Sequence, residues 1–467
     1  MAEQQDSSER GRVLATIEAA GVRFVNLEFT DVVGMAKCVT IPVEQFPDCL
    51  KHGKWFDGSA LEGFARVAES DMYLFPDLST FAILPVQVRP QSTLPAAGQI
   101  ADNLLPERDV VARVVCHVRT PEGEYFDGDP RATLLQALDV AASMGYDFLA
   151  APELEFFLLR LEDKTPSPLP HDRGGYFDLS TDLAAAVRRQ MVQALQEMNI
   201  RIEASHHEVA AGQHELDFET SDALHIADGL MTAKYVLKAI AAQHHLYATF
   251  LPKPFYGVSG SGMHTHQQLI QHSTRRNAFY DEHGEFGLSD VGRYFIAGQL
   301  AHARGLCAIL APLVNSYKRL VSGYEAPVYI NWGRVNREAL IRVPRPVPDQ
   351  QSARVELRCC DPSCNPYLAL AVMLRAGLDG IQRKLPLPPA MDESLFLRDE
   401  SERQRHRSKL LPATLGEALE GLREDTLLRE ALGDSIYEGF IEAKSIEWFE
   451  YRKQVHAWEL ERYLPVF

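Results

Sequence analysis

The sequence predicts an α+β protein, with a small β-rich N-terminal domain and a larger C-terminal domain of mixed helices and strands. Three observations carry that prediction. Early apolar stretches alternate with a period of two. A loop rich in Pro, Gly and Ala, from 90 to about 106, reads as a linker. Beyond it, segments of helical spacing are interleaved with short strands. The chain has 467 residues, enough for more than one domain, and its 46% hydrophobic and 24% charged content is globular.

Taken in order, 13–20 reads as a short helix, 24–29 as a strand, 31–34 as a turn and 80–84 as a second strand. After the linker, 110–118 opens the larger domain as a strand. A Pro121-Glu122-Gly123 turn follows, and Pro130 begins a helix through 142. Helical spacing recurs over 182–199 (Leu183, Val187, Met191, Leu195, Met198), 226–243 and 289–311. There is no internal repeat.

The bulk numbers exclude several classes. A formal net charge of -17 argues against nucleic acid as the main partner. No apolar run reaches the roughly 18–20 residues of a membrane helix. The start, MAEQQDSSERGR, lacks an apolar signal segment. Cysteines at 38, 49, 116, 307, 359, 360 and 364 do not have the spacing of a disulfide framework and read as reduced thiols of a cytoplasmic protein. Cys359, Cys360 and Cys364 lack the second Cys/His pair that a zinc site would need.

The chemistry lies in strands that are charged on one face. Alternate strand residues point to opposite sides. Glu153 and Glu155 therefore share a face in 151–158, as do His206 and Glu208 in 202–209 and Glu215 and Asp217 in 215–218. His264 and His266 share a face in 263–266, and Arg354, Glu356 and Arg358 share one in 354–358, with Val355 and Leu357 pointing away. An ordinary wet sheet face would carry Lys, Thr and Ser. Carboxylates held close together resist ionisation unless a cation sits among them. Oxygen ligands with an occasional imidazole suit Mg²⁺ or Mn²⁺. The candidate metal ligands are Glu153, Glu155, Glu208, Glu215, His264 and Glu356.

A second set is cationic: Arg319, Arg337, Arg342, Arg354 and Arg358. Guanidinium forks beside metal-ligating acids suggest a nucleoside triphosphate and an anionic substrate. Each arginine alone would read as a surface ion pair. The glycines of 257–262 form no Walker loop, but just before His264 they let backbone approach a ligand closely.

These stretches resemble the type I glutamine synthetases from about residue 15 to Phe467. The resemblance is carried by Phe56-Asp57-Gly58-Ser59, Glu69-Ser70-Asp71-Met72, Glu153-Leu154-Glu155-Phe156 and Gly175-Tyr176-Phe177. It continues through 206–215, Pro252-Lys253-Pro254, Gly260-Ser261-Gly262-Met263-His264 and 315–327. The last matches are Asn336-Arg337, Ile341-Arg342-Val343-Pro344, 354–358 and Asn365-Pro366-Tyr367.

The resemblance implies a β-grasp domain over 15–105 and a glutamine-synthetase-type α/β catalytic domain over 106–467. It also implies a cytoplasmic homo-oligomer, a dodecamer of two stacked hexameric rings with active sites between neighbours. The reaction it implies joins glutamate and ammonium, with ATP as substrate and two or more Mg²⁺ (or Mn²⁺) per subunit. Glu155, Glu208 and Glu215 would hold one metal, and Glu153, His264 and Glu356 the second. Arg319 and Arg358 would bind substrate carboxylates, and Ser259 and Gly260 would also be substrate-binding. Arg337, Arg342 and Arg354 would face the phosphates, with Glu203 and His266 near the nucleotide. Asp57 from a neighbouring subunit would deprotonate ammonium in a pocket lined by Tyr176 and Glu208, and Glu325 would sit on a closing flap.

Two positions depart from the family. Ser259 replaces an asparagine that holds the substrate amino group, and Ala60 replaces a serine near the ammonium pocket. Both touch substrate choice and leave the phosphate machinery intact, so a γ-glutamyl-amine ligase using a primary amine or polyamine is the alternative reading. The segment just before Leu385-Pro386-Leu387-Pro388-Pro389 contains no tyrosine, so by the resemblance the adenylylated tyrosine of one subgroup is missing. Arg66, in Glu62-Gly63-Phe64-Ala65-Arg66, resembles an arginine of the subgroup inhibited directly by glutamine.

Overall fold

The computed structural model describes residues 2–60, 71–85, 109–162, 165–345, 352–393 and 410–467. The expected linker at 90–106 and Arg66 lie outside them. Two sheets organise the described chain.

The smaller sheet contains β1 (Val22–Thr30), β2 (Ala36–Pro42), β3 (Lys54–Asp57), β4 (Asp71–Pro76), β5 (Ala82–Ile83) and β6 (Val110–Arg119). Their order is β2-β1-β6-β4-β3, with β5 also on β6. Val25, Leu27 and Phe29 alternate into a core closed by Val13 and Ile17 of the helix Ala2–Ala20 and by Phe46 and Cys49 of the helix Phe46–His52. The first helix thus begins well before the expected residue 13.

The strand expected to open the larger domain belongs to this smaller sheet. β6 runs parallel to β1, with Leu27 opposite Val114, and antiparallel to β4, with Leu74 opposite Val118. Its apolar run has two destinations: Ala112, Val114, Cys116 and Val118 join the smaller core, while Val111 joins the larger one. A strand buried on both faces carries no alternation that would say which sheet accepts it.

The larger sheet is built on β7 (Tyr146–Glu162), with β8 (Thr165–Pro170), β9 (Ile202–His207), β10 (Gln213–Phe218), β11 (Ser221–Asp222), β12 (Leu246–Thr249), β13 (Thr265–Gln271), β14 (Tyr329–Gly333), β15 (Ala339–Arg342) and β16 (Val355–Leu357). The order is β14-β15-β16-β13-β7-β10-β9, and β8, β11 and β12 also pair with β7. Helices Pro130–Ser143, Ala185–Glu197 and Ala223–Gln243 pack against it, and Pro366–Arg383 packs on the first and last of these. Pro130 starts its helix as expected, with Asp129 capping the Arg131 amide. The single helix expected over 289–311 is two, Asp290–Ala301 and Ala303–Leu310. His302 leaves helical geometry between them, its ring held by Asp425 at 2.6 Å and Asp379 at 3.1 Å. Among the described residues no helix is long and apolar enough to cross a membrane.

A buried polar seam joins the two sheets. Arg131 donates from Nε and Nη2 to both oxygens of Asp228, at 3.0 and 2.8 Å, and from Nη2 to Asp77 at 2.7 Å. Tyr367 donates to Asp228 at 2.6 Å. Arg113 of β6 bonds Glu28 of β1 at 2.9 Å and Thr232 of the helix Ala223–Gln243 at 2.9 Å. Asn365 caps its own helix and donates to the carbonyls of Asp31 and Val32. Gly34 is required at this contact: its φ is +87°, and a Cβ would lie 3.1 Å from Asn365 Cα.

Removing one partner of such a buried pair strands the other charge. Asp228→Ala is therefore expected to lower stability by about 3–5 kcal/mol in urea unfolding. Asp434→Ala, at the exposed pair with Arg429, is expected to change it little.

Candidate active site

The register of β7 fixes the centre of the site. Leu154 pairs with Leu216, and both are fully buried in the core. Side chains alternate, so Glu155 must lie directly opposite Glu215, and Glu153 opposite Asp217, on the other face. On the far side of β7, residues 262–264 run alongside before β13 begins: Glu153 N donates to His264 O at 2.9 Å and Glu155 N to Gly262 O at 3.3 Å. β16 places Glu356 opposite His266. Glu208 follows directly after β9. All six expected ligands line one cavity of about 240 Å³.

Within it, two groups each bring their ligand atoms within 4.8 Å of one another: Glu153, His264 and Glu356, and His206, Glu208 and Glu215. The first matches an expected set. In the second, His206 stands 3.6 Å from both Glu208 and Glu215. The sequence placed His206 on the face of Glu208 without giving it a ligand role. Glu155 lines the same cavity, and its Oε2 accepts from Gln213 Nε2 at 2.9 Å and from the Gly262 amide at 3.0 Å. Gln213 was also missed; a lone buried amide has no periodic signature in a sequence.

The electrostatics are those of a crowded anionic pocket. Burial, then the Glu208 charge, raises the Glu155 carboxyl to about 8. Burial and Glu155 push Glu215 far above the carboxylate range, and burial raises Glu208 and Asp217. Burial also acts to raise Glu153, but His264 at 3.1 Å and His266 at 2.8 Å outweigh it and hold that carboxyl well below its ordinary value. Burial and the Arg358 charge lower His264 to about 4, which leaves the ring neutral. Asp217 Oδ1 is buried without a hydrogen-bond partner. Two carboxylates and one imidazole per group fit a hard divalent cation such as Mg²⁺ or Mn²⁺.

Arg319, Arg337, Arg342 and Arg358 close the cavity with positive charge. Arg342 and Arg358 both donate to Glu356. Arg319 is buried and locked by the carbonyls of Cys359 and Cys360, each at 3.2 Å, and of Arg358 at 3.1 Å. Gly262 has no room for a side chain, because a Cβ would lie 2.3 Å from Arg319 Nη2. Arg337 pairs with Glu325 at 3.4 Å, and Arg358 donates to the Glu325 carbonyl at 3.4 Å. Glu325 holds a left-handed φ of 55°. Tyr176, Ser259, Gly260 and Tyr324 complete the rim.

Other expected residues stand apart from the lining. Asp57 is exposed at the end of β3, accepting from the Ser59 amide at 2.9 Å. Glu203 and Arg354 are exposed, and His266 is buried behind Glu153.

A third group of ligand-type atoms, from His171, Asp172 and His214, lies outside the cavity. Arg188 donates to His214 Nδ1 at 2.9 Å, so the proton of that ring sits on Nε2, which then has no lone pair for a cation. Asp172 instead accepts from the Gly174 and Gly212 amides and faces His207 Nε2 at 3.0 Å. The group braces the loop bearing Tyr176 against the turn after Glu208.

The description "Glutamine synthetase, beta-Grasp domain" matches residues 21–121, and "Glutamine synthetase, catalytic domain" matches 127–463. The chain is 48% identical to a glutamine synthetase of Thermus thermophilus over 461 residues, covering 98% of this chain and 99% of that one. It is 46% identical to a glutamine synthetase of Staphylococcus aureus over 453 residues, covering 96% and 97%. Among solved structures, one titled "GmaS/ADP complex-Conformation 1" superposes with a TM-score of 0.83 at 30% identity, covering 97% of this chain and 99% of its own. The chain, with its β-grasp and catalytic domains, belongs to the glutamine synthetase family.

Proposed function

We propose that this protein ligates ammonia to L-glutamate through γ-glutamyl phosphate, with ATP as phosphoryl donor and ADP and phosphate as products. The observation that carries this reading is the meeting, in one cavity, of two carboxylate–imidazole groups and four arginines. Glu153, His264 and Glu356 would hold one Mg²⁺ or Mn²⁺. Glu208 and Glu215, with Glu155 or His206, would hold a second. When bound, these ions supply charge neutralisation for the transferring phosphoryl group.

The remaining work falls to the protein's own side chains. A glutamate γ-carboxylate oxygen attacks the γ-phosphorus of ATP, and the bond to ADP breaks. Arg337 and Arg342 offset the charge that builds there, and Arg319 and Arg358 hold substrate carboxylates. Arg354, Glu203 and His266 flank the nucleotide. Glu325 closes the rim and keeps water from the acyl phosphate. Ammonium sits by Tyr176 and Glu208 and loses a proton to Asp57. Ammonia then attacks the acyl carbon and phosphate leaves.

Asp57 is absent from the cavity lining of its own chain, which supports its delivery by a neighbouring copy and hence a homo-oligomer, read here as a dodecamer of two hexameric rings. All seven cysteines are free, which supports a reducing, cytoplasmic setting. We assign regulation by glutamine to Arg66 on sequence resemblance alone.

Ser259, on the cavity rim, favours a second reading in which the acceptor is a primary amine or polyamine. Phosphate release with glutamate, ATP and Mg²⁺ is expected to require ammonium. In a panel of methylamine, ethanolamine and polyamines, ammonium is expected to give the highest kcat/KM; a preferred amine would move the protein to the second reading.

Metal binding is expected to release protons, since Glu155 and Glu215 hold theirs near neutrality. Apparent Mn²⁺ affinity should therefore rise by at least about tenfold between about pH 6 and 8, with calorimetry in buffers of different ionisation heat reporting the released protons.

Asp57→Ala and Glu325→Ala subunits, each inactive alone, are expected to recover activity when mixed and reassembled. Activity that stays absent after proven subunit exchange would place Asp57 outside the neighbour's site.

A further inference from the structure

Lys253 joins two loops that form opposite parts of the cavity rim. Its backbone is clasped by Asn315, whose Oδ1 accepts from Lys253 N at 2.7 Å and whose Nδ2 donates to Lys253 O at 3.1 Å. The root of the side chain is therefore fixed. Its stem packs on the glycine loop: a Cβ on Gly260 would lie 3.2 Å from Lys253 Cδ and 2.2 Å from the Pro252 carbonyl. The ammonium donates to the carbonyl of Val258, the residue before Ser259. It also stands over the ring of Tyr324, 4.0 Å from the centroid, and Tyr324 is the residue before Glu325.

Lys253 itself does not line the cavity, whereas Ser259, Gly260, Tyr324 and Glu325 do. Its charge is thus directed at the supports of the rim rather than at the space inside. The two loops it joins hold left-handed residues, Gly257 at φ 79° on one side and Gly323 at 91° and Glu325 at 55° on the other. Glycine takes such angles freely, but a residue with a side chain, such as Glu325, keeps one only where its neighbours over-determine it. Glu325 has two partners on the arginine side, Arg337 and Arg358. Tyr324 on Lys253 anchors the same segment from the opposite direction.

We propose that Lys253 is a positioning residue: through Val258 and Tyr324 it couples the loop that holds the substrate amino group to the flap that carries Glu325, so that an ordered glutamate site and a closed flap arise together. This rests on reading the cavity as the site of glutamate phosphorylation. A cation over an aromatic face is the right joint for a segment that must open and close, because it is favourable yet holds no fixed hydrogen-bond direction. The consequence is economy of ATP: the flap is drawn shut where the amino-group loop is in place, and the acyl phosphate is shielded from water.

The test compares Lys253→Met, which keeps the stem and removes the charge, with Lys253→Arg, which keeps the charge. Lys253→Met is expected to raise KM for glutamate about tenfold while KM for ATP stays within about twofold. It should also raise the fraction of phosphate released without amide product. Lys253→Arg should restore most of both. Tyr324→Leu should resemble Lys253→Met, and the double variant should be no worse than either single one, as for two members of one contact. Additive losses, or an unchanged glutamate KM and coupling ratio in Lys253→Met, would overturn the proposal.

A readout independent of turnover separates this from failure of the proposed reaction. Glutamyl endopeptidase should cut after Glu325 faster in Lys253→Met than in wild type or Lys253→Arg. Equal cleavage rates in all three would overturn the coupling even in an active enzyme. Faster cleavage in Lys253→Met, alongside a wild-type protein that shows no glutamate-dependent turnover, would leave the coupling standing and remove the assigned reaction.

Discussion

The pairing of β7 with β10 is the constraint from which the rest of the site follows. Leu154 and Leu216 can both be buried in only one register, since a slip of one residue would turn each apolar set outward. That register forces Glu155 against Glu215 and Glu153 against Asp217, a juxtaposition that opposes folding by like-charge repulsion. Hydrophobic burial along one face of the sheet therefore holds the other face in an arrangement it would not adopt alone. The strain is met by retained protons on Glu155 and Glu215, by two histidines on Glu153 and by two arginines on Glu356.

The arginines are organised by the same framework. Arg319 is held by three carbonyls at the end of β16, so its guanidinium is immobile before any ligand arrives. Electrostatic stabilisation of this kind costs no reorganisation during the reaction. The buried seam around Asp228 contributes from further away. It fixes β6 and β4 against the helices behind the larger sheet, and with them the small sheet that ends at Asp57.

Much of this was legible in the sequence, for a definite reason. Where a strand is apolar on one face and acidic on the other, the period of two reports both the strand and the shared direction of its acids. Glu153, Glu155, Glu208, Glu215, His264 and Glu356 all emerged that way and meet in one cavity. Features without periodicity did not emerge. β6 is buried along both faces and shows no clean alternation, so its sequence was silent about which sheet it would join. The break at His302 depends on Asp379 and Asp425, which are remote in the chain. His206 shared a face with Glu208, but its place between two carboxylates needed β10 as well. Gln213 and Lys253 act through tertiary contacts that leave no periodic pattern in the sequence.

The division of labour between strands and loops has an evolutionary consequence. The groups suited to handling phosphate sit on paired strands or just beside them, where backbone ladders and core packing punish change. Ser259, Tyr324 and Glu325 sit on loops, where a substitution can alter the rim without disturbing the core packing that holds the sheet. A scaffold of this kind can change its rim while the strand framework beneath it stays the same. New ligases can then arise by editing a few loop positions rather than by rebuilding the chemistry.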